Sequence, residues 1–117
     1  MSGTVYVANL PSTPPSMGVT VTEIVSGTGD VQGLSAQVGL RLVGYSVRES
    51  AVVPILATVA LRDGTSDAGE AVVVIGLLAS TSQTVWLGDY GLPCNSGVFV
   101  DRISGTSHLS LWTKVIP

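Results

Sequence analysis

The chain reads as an all-β protein: a β-sandwich or jelly roll of about seven or eight short antiparallel strands, with an extended N-terminal arm. Three observations predict this. Glycine and proline, 14 and 6 of the 117 residues, punctuate the chain at short intervals. β-Branched residues fill the gaps between them, which is the composition of strands. No window of helical length carries an apolar stripe of period 3.6 between capping residues.

Residues 4–8, Thr-Val-Tyr-Val-Ala, make a short β-like run. Pro11, Pro14 and Pro15 follow within five positions. Each lacks a ladder donor and has a fixed φ, so this stretch is extended and lies outside any central strand. Residues 1–17 read as an arm, and a β-run at its tip invites pairing with a neighbour's sheet edge. Tyr6, Leu10, Pro11, Pro14 and Pro15 are its candidate contacts. The other reading of the same residues is a first strand folded back onto its own domain, followed by a Pro-rich loop. Residues 18–117 form a single domain, as the chain length requires.

Within that domain, residues 19–25 alternate, with Val19, Val21, Glu23 and Val25 against Thr20, Thr22 and Ile24. Residues 39–47 and 55–61 alternate as well, the latter with Ile55, Ala57, Val59 and Leu61 on one face. Residues 62–70 are a polar, Gly-containing turn. Residues 71–79 are a continuous apolar run, the pattern of a buried central strand. Residues 84–87 are a short strand, and residues 97–103 and 108–115 form the last pair around a Ser-Gly-Thr-Ser turn. Several strands are apolar on both faces, so a single sheet would not bury them. The segment Glu23-Ile24-Val25-Ser26-Gly27-Thr28 is echoed by Asp101-Arg102-Ile103-Ser104-Gly105-Thr106, as one turn chemistry used twice.

Charged residues make up 11% of the chain, against about 25% in ordinary domains, while apolar residues are an unremarkable 45%. The surface must therefore be built from Ser, Thr, Gly, Asn and Gln. Such a surface costs little to desolvate against neighbours, which suits a subunit of an assembly. The net charge is −3 and the five basic residues are scattered. No basic stripe serves nucleic acid or an anionic membrane. The longest nearly apolar run is far too short to cross a bilayer. Residues 1–4 have no signal-peptide pattern, and the lone Cys94 allows no disulfide within the chain, which fits synthesis in a reducing cytoplasm.

Catalytic chemistry is thinly supplied. A nucleophile–base pair would have to use His108, the single histidine, with a serine or with Cys94; a strand-edge histidine is the simpler account. One His and one Cys cannot close a zinc site. Asp63 and Asp67 flank Gly64 without the alternate oxygen ligands of a calcium loop. No enzymatic activity, metal or cofactor is expected. Arg48 and Glu49, with Arg41, are placed for ion pairs at a strand end. Residues 86–93 concentrate aromatics in a turn-rich stretch, making Trp86, Asp89 and Tyr90 candidate interface residues; the same aromatics would equally serve as a plug over the open end of the core. Trp112, in an alternating strand, reads as core.

Residues 44–50 (Gly-Tyr-Ser-Val-Arg-Glu-Ser) and 61–65 (Leu-Arg-Asp-Gly-Thr) open a series of motifs. Trp86-Leu87-Gly88 with Gly91 continues it, and Gly97-Val98-Phe99-Val100-Asp101 and Ile103-Ser104-Gly105-Thr106 close it. Across residues 39–116 the series resembles small virion structural proteins of tailed bacteriophages, encoded among head and tail genes. The resemblance implies a virion subunit without catalytic residues. Within that class it implies a capsid decoration (cement) protein, a homotrimer that binds the outer surface of the major capsid protein shell and stabilises it after synthesis in the host cytoplasm. The runner-up is a neck or tail subunit, or a small receptor- or glycan-binding module. Cys94 and residues 52–54 depart from the pattern; Pro54 is expected to mark an edge or a strand start.

Overall fold

The computed structural model describes residues 18–116. The chain in this range is β-strand and connection throughout: β1 (Thr20–Gly27), β2 (Val31–Leu34), β3 (Leu40–Glu49), β4 (Ala57–Asp63), β5 (Glu70–Leu77), β6 (Ser82–Trp86), β7 (Leu92–Pro93), β8 (Val98–Ser104) and β9 (Ser107–Val115). Two antiparallel sheets form. The first runs β1-β9-β3-β6, with the two-residue β7 continuing along β3 beyond β6; the second runs β2-β8-β4-β5. The expected all-β sandwich is the observed fold.

The connectivity selects the jelly-roll form. β1 pairs with β9, β2 with β8, β3 with β6 and β4 with β5. The chain is thus one long antiparallel hairpin, turning between β4 and β5, whose paired arms are rolled into two facing sheets. The loops collect at two ends. The corner end holds residues 28–30, 50–56, 78–81 and 105–106. The entry end holds Gly18, where β1 begins, together with residues 35–39, 64–69 and 94–97.

Strand alternation decides which side chains meet. On β9 Ser107, Leu109, Leu111 and Thr113 are buried and the residues between them are not. On β4 Ala57, Val59 and Leu61 face the same core, and on β8 Val98 and Val100. Leu42, Val47 and Ile75 complete its centre.

Four sequence expectations are corrected. Residues 71–79 are not a buried central strand: β5 is an edge, with Ala71, Val74 and Gly76 exposed. Residues 97–103 and 108–115 are not a hairpin, because β8 and β9 lie in different sheets; the turn between them is a corner. Its echo at residues 23–28 is the corner that carries β1 to β2, so the repeated Ser-Gly-Thr stands at two of the connections that change sheet, both at the corner end. At the second corner Gly105 has φ +77°, and a Cβ there would lie 2.6 Å from the Leu56 carbonyl oxygen. Pro54 begins no strand; β4 starts at Ala57. Trp112 is not core. It stands on the outer face of the first sheet, against Gly44, where a Cβ would sit 2.5 Å from Trp112 Cε3 and 2.7 Å from the Val85 carbonyl oxygen. The strands β2 and β7 were not anticipated: one is four residues long and the other two, too short to show a period.

Leu111 is fully buried between the sheets. Leu111→Ala should lower the unfolding free energy by about 2–5 kcal/mol, read as a lower urea midpoint at unchanged slope.

Candidate functional site

The corner end carries an apolar tip. Residues 51–56, Ala-Val-Val-Pro-Ile-Leu, bridge β3 and β4, and the side chains of Val52, Val53, Ile55 and Leu56 stand in solvent. Val52 is fully exposed and Val53 is 79% exposed. Leu78, from the neighbouring β5–β6 connection, is exposed beside Leu56, and Ile103 is exposed at the end of β8. A groove of about 380 Å³ opens among Leu56, Ala57, Thr58, Gly76, Leu77 and Leu78. Single exposed apolar residues are ordinary, but a contiguous set is the mark of a contact surface.

Glu49, the last residue of β3, holds this tip in place. Its side chain is buried. Oε2 accepts the Ala51 N–H at 2.7 Å and Oε1 accepts the Ser80 N–H at 2.7 Å. One carboxylate therefore ties the β3–β4 connection to the β5–β6 connection. Ser80 is in the left-handed region at φ +60°, which costs a non-glycine residue on the order of 1 kcal/mol, and the bond to Glu49 holds it there. The N–H groups of Ser80 and Ala51, with Ile55 adding to them and burial opposing, keep the Glu49 carboxyl below its ordinary value. The ion pair expected between Arg48 and Glu49 does not form, because Glu49 turns inward to these backbone donors and Arg48 points to solvent.

A second feature is an aromatic ledge. Register places Val21, Trp112, Gly44 and Trp86 in one row across the outer face of the first sheet. Trp86 is 53% exposed. The chain then leaves β6 in a loop in which Asp89 and Tyr90 are both exposed, and the Tyr90 carbonyl accepts Arg41 Nη1 at 3.3 Å. Trp86, Asp89 and Tyr90 thus lie at the protein surface and do not plug the core. Tyr6, Leu10, Pro11, Pro14 and Pro15 lie outside the described residues.

The titratable side chains weighed from sequence are placed apart. Cys94 is fully buried, and desolvation, with the Asp63 charge second, pushes its thiol up to about 11. Its N–H bonds Leu40 at the entry end, whereas His108 pairs with Arg48 near the corner end. Eight residues of β3, about 26 Å, separate the two, so no Cys/His pair forms. His108 instead sits between Glu23 and Ser26, with Nε2 to Glu23 Oε2 at 2.7 Å and Nδ1 to Ser26 Oγ at 3.3 Å. Sequence reasoning missed this chain, whose members are more than 80 residues apart. Glu23 is mostly exposed, and an exposed pair contributes about 1 kcal/mol at most. Its evident effect is to clip β1 to β9. Asp63 is engaged by the Ser96 N–H at 3.0 Å.

The apolar tip was also missed. Its signal was present: five apolar residues around Pro54, without alternation, between two strands. Comparisons with known protein families, with curated proteins and with solved structures give no match for this chain.

The lowered Glu49 pKa makes stability depend on pH in a defined direction. A carboxyl whose folded value lies below its unfolded value of about 4.3 stabilises above that pH, and the contribution is lost as pH falls through the folded value. Glu49→Gln should therefore be less stable than the unmodified chain at pH 7, with the gap narrowing on acidification, as measured by urea unfolding at pH 7, 5 and 3.

Proposed function

We propose that the protein is a bacteriophage virion subunit, a capsid decoration protein that docks on the outer surface of the major capsid protein shell and stabilises it. The observation that carries this reading is the apolar tip: Val52, Val53, Ile55, Leu56 and Leu78 are exposed at one end of the sandwich, on two connections that Glu49 ties together. Preorganised contacts bind with less ordering cost than mobile ones. The charge-poor surface and the resemblance of residues 39–116 to small virion structural proteins support the same reading. The role is structural and non-enzymatic, with self-association into a homotrimer and residence on the capsid surface.

Burying a valine against a partner is worth about 1.5 kcal/mol or more, over tenfold in affinity. Val52→Asp with Val53→Asp should leave the melting temperature nearly unchanged, because both side chains are exposed, and should weaken co-sedimentation with preformed capsid shells by at least tenfold. Full binding by the double variant would remove the tip from the interface. No association of the unmodified protein with any shell would overturn the decoration reading.

A second reading is a receptor- or glycan-binding virion module, favoured by the ledge of Trp86, Trp112 and the nearby Tyr90. Rings on an open sheet face supply stacking surface for sugars, and the Ser46–Thr84 hydroxyl pair at 3.0 Å adjoins the row. On this reading a glycan array gives saturable binding that Trp86→Ala abolishes. An array without hits removes it.

A further inference from the structure

Two of the basic side chains are spent inside the fold: Arg62 is paired with Asp101, and Arg102 is buried against the Val25 carbonyl. Arg41 and Lys114 are placed differently. They stand directly opposite each other on β3 and β9. Strand alternation puts Lys114 on the same outer face as Trp112. Like charges set opposite in a sheet repel and cost stability. Among the described residues no carboxylate lies within ion-pair distance of either, Asp89 in the β6–β7 loop included. Arg41 gives one N–H to the Tyr90 carbonyl, which carries no charge to offset the pair.

Three rows cross this face in order. Lys114, Arg41 and Pro93 make the first. Val21, Trp112, Gly44 and Trp86 make the second, and Glu23, Ser110, Ser46 and Thr84 the third. Glu23 is tied to His108, so the third row presents mainly hydroxyls. Neighbouring rows lie two residues apart along the strands, about 7 Å. Long side chains span that distance, so both cations reach the edge of the aromatic row.

We propose that this face binds an oligosaccharide bearing carboxylates, with a sugar ring stacked on Trp86 and Trp112 and its carboxylate between Arg41 and Lys114. This deepens the glycan-binding reading and rests on it. An anion between the two cations turns their mutual repulsion into two attractions. The Tyr90 carbonyl fixes one side of the Arg41 guanidinium and leaves the rest of its fork for a carboxylate. The C–H face of a sugar ring suits the electron-rich face of an indole, and Ser46 and Thr84 lie one row beyond for its hydroxyls. An acidic peptide fits less well. Peptides are held on sheets by backbone hydrogen bonds at an edge, whereas the cations and Trp112 stand on β3 and β9, the two inner strands of this sheet.

Oligogalacturonate and its methyl ester test the proposal, because esterification removes the charge and keeps the sugar. Titration followed by tryptophan fluorescence should show saturable binding of the acid and about tenfold weaker binding of the ester. Arg41→Gln with Lys114→Gln should weaken binding of the acid about tenfold and leave binding of the ester unchanged. The same double variant should keep or raise the melting temperature, since it removes the like-charge pair. Trp86→Ala should abolish binding of both. Equal binding of acid and ester, or binding of the acid unaltered in the double variant, would overturn the proposal and leave the glycan reading standing. So would an array on which only neutral or only sulfated sugars bind. Binding of oligoglutamate in place of oligogalacturonate would overturn it in favour of an acidic peptide, and an array without any hit removes both the proposal and the glycan reading.

Discussion

Leu109 and Leu111 of one sheet and Val59 and Leu61 of the other can leave water only by facing each other, and this requirement governs the molecule. A chain of this size buries enough surface only if nearly every inward position is apolar. β9 meets that condition with strict alternation between two neighbours, β1 and β3. Once β9 lies between those strands, the remaining pairs nest outward from the β4–β5 turn, and the loops are confined to two ends. The corner end is then the place where four connections converge, and a surface can be built there from residues distant in sequence.

Packing so many backbone segments together at one end raises a polar problem, which buried side chains resolve in part: Ser50 Oγ, Ser107 Oγ and Arg102 Nε are left without partners. Glu49 takes N–H groups from two connections. Arg102, buried in the second sheet, donates from Nη2 to the Val25 carbonyl at 2.7 Å, within the irregular stretch of β1. Gly27 leaves room for that guanidinium, since a Cβ there would sit 3.2 Å from Nη1. Glu49 and Arg102 each bond the backbone of a corner segment, while Arg102 Nε stays buried without a partner.

The outer surfaces divide the remaining work. On the second sheet, Arg62 Nε meets Asp101 Oδ2 at 2.9 Å and its Nη1 reaches the Gly69 carbonyl, so one of the few cations is spent on anchoring the β4–β5 turn. On the first sheet, His108 and Glu23 do the same for β1.

The sequence by itself determined the all-β class, most of the strands and the alternation that makes the core, because these depend on local periodicity and on turn residues that act within a few positions. It also showed a charge-poor surface and, in the Ser-Gly-Thr echo, that two connections share a chemistry. Only the tertiary structure decided which strands are neighbours. An apolar run such as residues 71–79 reads alike whether both its faces are covered or one edge is bare, and strands that are consecutive in the chain, such as β8 and β9, lie in separate sheets. It likewise decided that Trp112 faces outward, that Glu49 turns to backbone donors instead of Arg48, and that Val52, Val53 and Leu78 share one end. Each of these depends on contacts between residues far apart in the chain, and no local pattern encodes such contacts.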